Sequence, residues 1–149
     1  MIRLYLDTSV ISAVFDDENP ERQSLTRDFF VISPNFQVFV SDFTLQEIAE
    51  TSNLPLRNQM EQLIAPLSIL PLTEDVEFLA NEYLNAGAFR ERNLGDAFHV
   101  AIASINQIDY LLSWNFKHLV RLKTRTIVNM VNTLNNYTQV EIITPAEFL

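Results

Sequence analysis

Four polar side chains, three of them carboxylates, each stand just beyond or soon after an apolar run. Asp7 follows Ile2-Arg3-Leu4-Tyr5-Leu6. Glu47 comes soon after Val38-Phe39-Val40-Ser41. Asp96 opens the most apolar helical stretch of the chain. Asn115 follows Tyr110-Leu111-Leu112-Ser113-Trp114. If these runs are parallel strands, their carboxyl ends gather the four groups at one edge of a sheet. In open α/β sheets that edge is where ligands bind. Carboxylates gathered together repel one another, and a divalent cation relieves the repulsion. The pattern therefore predicts a metal-dependent enzyme.

Each of these residues also has a purely structural reading. Asp7, in Leu6-Asp7-Thr8-Ser9, suits a helix N-cap, and a capping carboxylate can also bind metal. Thr8 and Ser9 are placed to hydrogen-bond the other acids or a phosphate. Glu47 falls in Thr44-Leu45-Gln46-Glu47, which reads locally as a capping box. Asp42 and Glu50 compete with it for the same place. Asp96 at a helix start is favoured by the helix dipole as well as by a metal. His99 lies one turn further and reads as a core group or as a neighbour of the site; no second histidine is close in sequence, which argues against a histidine-rich zinc site. Asn115 offers an amide oxygen to a cation or a water but cannot act as a base, and it also reads as a turn residue. Trp114 beside it reads as core. Lys117 and His118 follow, with Arg121 close behind, as candidate phosphate contacts.

The elements that must position these groups alternate. Residues 3–6, 37–41 and 109–113 read as strands. Residues 69–72 are interrupted by Pro71 and suit only an edge strand, and 141–144 form a last strand. Helices are expected over about 8–15, from Pro20, over 44–51, 55–65, from Thr73 to Gly87, over 94–106 and over 117–135. The 94–106 stretch is apolar nearly all round, so it belongs at the centre. Strands alternating with helices predict an α/β fold with a mostly parallel sheet covered on both faces.

A chain of 149 residues is expected to form one domain, 1–149, with a substantial core. Apolar residues make up 48% and charged ones 19%, a globular balance. The absence of cysteine excludes disulfides, thiolate metal sites and cysteine nucleophiles. Two glycines, Gly87 and Gly95, cannot build a P-loop or a dinucleotide turn. There is no G-x-S-x-G elbow. The apolar start is too short for a signal peptide, and no stretch is long enough to span a membrane, so a cytoplasmic protein is expected. The net charge of −9 opposes nucleic acid, but its distribution softens that objection. Residues 1–85 carry four basic and fourteen acidic side chains; residues 86–149 carry six basic and five acidic. Lys117, Arg121, Lys123 and Arg125 cluster in the second part, either as a solvated face or as a basic surface beside the acids.

The motifs Tyr5-Leu6-Asp7-Thr8-Ser9-Val10-Ile11-Ser12, Glu47, Gly95-Asp96-Ala97-Phe98-His99-Val100-Ala101-Ile102-Ala103 and Asp109-Tyr110-Leu111-Leu112-Ser113-Trp114-Asn115 occur in this order. Together they resemble the PIN-domain ribonucleases, and most closely VapC-type toxins of toxin–antitoxin pairs. The resemblance implies a three-layer α/β/α fold and an endoribonuclease dependent on Mg²⁺ or Mn²⁺. It implies that Asp7, Glu47 and Asp96 are the family acids and that Asn115 stands where a fourth acid often does, which bears on a second metal. It further implies an RNA substrate such as tRNA, a cognate antitoxin and a homodimer. Arg90 and Arg92, upstream of Asp96, would flank the RNA. The alternative is a catalytically weak or inactive PIN scaffold that binds protein. A haloacid-dehalogenase-type phosphatase would need an aspartate where Ser9 stands.

Overall fold

A computed structural model describes the whole chain, Met1–Leu149. Five strands form its sheet: β1 (Arg3–Leu6), β2 (Gln37–Ser41), β3 (Ser68–Leu70), β4 (Tyr110–Leu112) and β5 (Glu141–Ile143). Their order across the sheet is β3-β2-β1-β4-β5, and every neighbouring pair is parallel. The expected mostly parallel sheet is thus wholly parallel. Parallel strands need crossovers, and helices supply them. These are α1 (Thr8–Ala13), α2 (Pro20–Ile32), α3 (Asp42–Ala49), α4 (Leu54–Ile64), α5 (Glu74–Asn85), α6 (Leu94–Ile105) and α7 (Leu122–Leu134).

Alternation along each strand divides the core in two. Leu4 and Leu6 of β1 face one layer with Val10, Phe29, Ile48 and Met60; Tyr5 faces the other with Leu79, Val100, Ala101 and Val128. A buried leucine or isoleucine contributes about 1.5–3 kcal/mol through removal from water, so both layers are strongly held. In α6, Ala97 and the run His99–Ser104 are all buried, as expected of a central helix. Gly87, at φ +86°, ends the turn after α5, a conformation that favours glycine.

Two helix starts differ from the sequence expectation. Helix α3 starts at Asp42, because Ser41 caps it by accepting from the Thr44 N–H at 3.2 Å. The capping box is Ser41 with Thr44, and Glu47 lies in the helix beyond it. Residues 117–121 are a turn, and α7 begins only at Leu122. The Asn115 carbonyl draws in the N–H groups of Leu119 and Val120 at 3.0 and 2.9 Å, which holds this stretch out of the following helix. The short β3 does lie at the sheet edge.

Candidate active site

The parallel register places Leu6 beside Leu112, so the residues just beyond the strands, Asp7 and Ser113, are also brought together. Ser113 Oγ donates to Asp7 Oδ2 at 2.5 Å, and Ser9 Oγ donates to Asp7 Oδ1 at 2.5 Å. Asp7 also caps α1 by accepting from the Val10 N–H at 3.3 Å. The cap reading and the site reading therefore coincide. Ser9 Oγ accepts from the Trp114 N–H, and Ser113 Oγ from the Asn115 N–H, both at 2.9 Å. Two serines thus tie the end of β1 to the end of β4. Asp7 is only 4% exposed, and burial pushes its carboxyl above the usual range. A charged His99 and the hydroxyls of Ser113 and Ser9 act against that rise.

Glu47 projects from α3 to the same edge. Its Oε1 accepts from Thr8 Oγ1 and pairs with His99 Nε2, both at 2.6 Å. Both bonds fall on one oxygen, which leaves Oε2 free for another partner. Burial raises this carboxyl, but the His99 and Thr8 interactions prevail and hold it below its ordinary value. His99 is 3% exposed, and its Nδ1 meets the buried Tyr5 hydroxyl at 2.6 Å. Tyr5 in turn meets Ser41 Oγ at 2.8 Å. His99 thus bridges Glu47 and Tyr5, with Nε2–H donating to Glu47 and Nδ1 against the Tyr5 hydroxyl. His99 accordingly belongs to the buried layer that orients Glu47.

Asp96 sits in the first turn of α6. Burial and the charges of Asp7 and Glu47 raise its carboxyl to about 6, against a charged His99 and the Asn115 amide. Asn115 Nδ2 reaches Asp96 Oδ2 at 3.4 Å, while its Oδ1 accepts from the His118 N–H at 3.0 Å. Gly95 lets α6 approach α3: a Cβ there would stand 3.4 Å from the Phe43 ring and 3.9 Å from Glu47 Oε2.

Asp7, Glu47, Asp96 and Asn115 are therefore brought to one edge, with Thr8, Ser9 and His99 in direct contact with them. Asp42 and Glu50, the rivals of Glu47, are exposed. Lys117, His118 and Arg121 lie in and after the turn beside Asn115. Trp114 is 7% exposed and donates from Nε1 to Thr26 at 2.9 Å, so it is a core residue. Sequence reasoning missed Ser113 and Tyr5. Ser113 holds the same place on β4 that Asp7 holds on β1; aligning the two strand ends as parallel neighbours would have found it. Tyr5 is the one hydroxyl-bearing side chain within the apolar run Leu4-Tyr5-Leu6.

No three acidic or histidine side chains close into a ready-made metal cage. The donors that are present are oxygens, and no lysine or arginine pairs with the three acids. Such a set fits a hard divalent cation that keeps much of its water and takes one or two carboxylates directly.

An all-parallel sheet with its acids at the carboxyl edge, joined by Asp7-Thr8-Ser9 and the Asp96 helix, defines a class. The PIN domain matches residues 4–115, and the chain belongs to the PIN-domain family. Its structural neighbours are VapC toxins. Similar solved structures include Mycobacterium tuberculosis VapC20, described as a sarcin–ricin loop cleaving toxin, at 18% identity and a TM-score of 0.61, covering 77% of this chain and 92% of that one. VapBC2 from Rickettsia felis, bound to a DNA fragment from its promoter, is similar at 15% identity and 0.62 over 95% of this chain and 98% of that one. VapBC-1 from nontypeable Haemophilus influenzae is similar at 14% and 0.57, with coverage of 95% and 98%. At these identities the likeness is one of fold. A search of curated proteins gave no match. No helix is long and apolar enough to cross a membrane.

Proposed function

We propose that this chain, as one PIN-like domain over 1–149, is a metal-dependent endoribonuclease and the toxin of a toxin–antitoxin pair. The observation that supports this most is the meeting of Asp7, Glu47 and Asp96 from three separate stretches at one sheet edge. The charges of Asp7 and Glu47 raise the proton affinity of Asp96, and no lysine or arginine pairs with any of the three. Asp7 and Asp96 would hold Mg²⁺ or Mn²⁺. When bound, that ion would polarise the scissile phosphate and lower the pKa of a coordinated water.

The chain's own residues do the positioning. Ser9 and Ser113 fix both oxygens of Asp7, so it enters the reaction already oriented. His99 and Thr8 hold Glu47 by Oε1 and keep it ionised, leaving Oε2 to accept a hydrogen bond from the attacking water. Asn115 orients Asp96 and contributes no base. Attack in line on phosphorus then breaks the bond to the leaving oxygen. The VapBC neighbours support an antitoxin as the partner that covers this edge, and a homodimer remains part of the proposal. Asp7→Asn or Asp96→Asn is expected to abolish metal-dependent cleavage of RNA while the circular dichroism spectrum is kept. Full activity in either folded variant would refute the assignment.

The open arrangement of the acids and the amide at Asn115 favour one second reading, a scaffold that binds protein without catalysis. Calorimetry with Mn²⁺ separates the two. Binding that is lost in Asp96→Asn supports the enzyme, and no heat at millimolar metal supports the scaffold.

A further inference from the structure

Half of the ten lysines and arginines line one cavity of about 350 Å³. Arg90 and Arg92 come from the segment before α6; Lys117, Arg121 and Lys123 come from the turn and the start of α7. None of the five has a carboxylate partner, since the close ion pairs of the chain are Arg57–Glu61 and His99–Glu47. His118 lies among them. Partial burial and the charges of Lys117, Arg92, Arg121 and Arg90 hold its imidazole below its ordinary proton affinity. Cations that converge without counter-ions repel one another, and in a protein of net charge −9 acids were available to pair with them. The fold leaves them unpaired on a concave, exposed surface, which is how a site for an external polyanion looks.

The cavity adjoins the acid site. Asn93 lines it and is also the residue that precedes α6, one turn before Asp96. His118 lines it and is bound through its N–H to Asn115, whose amide reaches Asp96. A single phosphodiester carries one negative charge, so five cations match several consecutive phosphates. The other flank, beyond Trp114, has the opposite character: its cavity of about 440 Å³ is lined by Glu18 and Glu21, and Arg22 there is drawn over the Trp114 ring at 5.2 Å.

We propose that the Arg90–Lys123 cavity binds consecutive phosphates of a single-stranded RNA on one side of the scissile bond, so that the substrate is anchored from that side alone. This rests on the ribonuclease reading above.

The test begins with fluorescence anisotropy of a labelled single-stranded RNA in metal-free buffer, where binding is read without cleavage. Arg92→Gln/Lys123→Gln is expected to weaken binding about tenfold or more and to lower the slope of log K against log salt by about 0.7 per lost contact. Arg90→Gln/Lys117→Gln should do the same, and Arg57→Gln, outside the cavity, should not. All of these positions except the partly exposed Arg57 are exposed, and melting curves check that each variant folds. In cleavage assays, shortening the RNA from one end should raise KM steeply and from the other end hardly at all, and the Arg92/Lys123 variant should erase that difference. Unchanged binding in both double variants would overturn the proposal, as would equal sensitivity to shortening at both ends. Displacement of RNA by inorganic phosphate alone at micromolar concentration would reassign the cavity to a small anion. Tighter binding of poly-glutamate than of RNA would reassign it to an acidic protein segment. RNA bound through the cavity but never cut would defeat the ribonuclease reading and leave the anion site standing. Cutting with both variants unaffected would do the reverse.

Discussion

Asp96 is the side chain whose ionisation the fold opposes most visibly. Its carboxyl rises from an ordinary 3.8 to about 6 through burial and the charges of Asp7 and Glu47. The folded state therefore holds this proton more tightly than the unfolded chain does. The stability it contributes is fully present below the unfolded value and is lost as pH rises through about 6. In metal-free protein above that pH, Asp96→Asn is expected to melt higher than the wild type by a few degrees, at about 2–4 °C per kcal/mol for a chain of this size. The gap should close at acid pH and shrink again when Mn²⁺ is added. Identical melting of the two proteins across this range would show that Asp96 feels no such repulsion. The placement of Asp7 and Asp96 was legible in the sequence, because Asp7 follows an apolar run at a helix start and Asp96 opens an apolar helix. Glu47 was not legible in the same way. Its local sequence imitates a capping box, and only the parallel sheet, which no local pattern encodes, brings it to His99 and Thr8. The competing cap, Ser41, has the stronger claim because it lies at the end of β2.

Among the elements, α5, α6 and α7 are joined by a buried polar knot. The Tyr83 hydroxyl donates to Asn132 Oδ1 at 2.5 Å and meets Ser104 Oγ at 3.0 Å, while Asn132 Nδ2 donates to Ser104 Oγ and to the Thr138 carbonyl. One residue from each helix takes part, so the knot fixes how the three helices sit over the sheet face that carries Tyr5. Tyr83→Phe would leave Asn132 Oδ1 buried without its donor, at a cost of about 1–3 kcal/mol. Denaturant unfolding should show that loss, whereas RNA cleavage at low temperature should be kept because the knot lies away from the acids. A variant as stable as the wild type would mean that the Asn132 amide finds another donor. The helical stripe of α5, with Val76, Leu79, Ala80 and Tyr83 buried, was readable from its spacing. The start of α7 was not. Lys117 to Arg121 looks helical by composition, but Asn115 captures the backbone of the turn, and its role depends on Asp96 nearly twenty residues away.

At the scale of the molecule, the family match ends at Asn115 while the sheet does not. Strand β5 pairs with β4, and Leu119, Val128, Val131, Val140 and Ile142 complete the core over α6. A chain ending at Asn115 would expose that face of α6 and leave β4 as an open edge. It is expected to lose cooperative unfolding and to aggregate, which light scattering and calorimetry would show. A monomeric, cooperatively melting 1–115 fragment would place the domain boundary there and contradict the 1–149 reading. The alternation of strands and helices was enough to predict a layered α/β fold. The strand order was hidden, because it depends on which distant strands pair and not on any local pattern.

That order has a consequence in time. The central strand β1 is made first, yet its partner across Leu4–Tyr110 is synthesised about a hundred residues later. Pairings between such distant segments form slowly, and a nascent chain must wait for them. Until β4 and the residues just beyond it have been synthesised, Asp7 lacks Ser113 and Asp96 lacks Asn115. A chain that stops before Leu112 already contains all three acids but lacks the strand end that orients Asp7 and Asp96, so the same strand order that gathers the acids also delays their final arrangement until the chain is nearly complete.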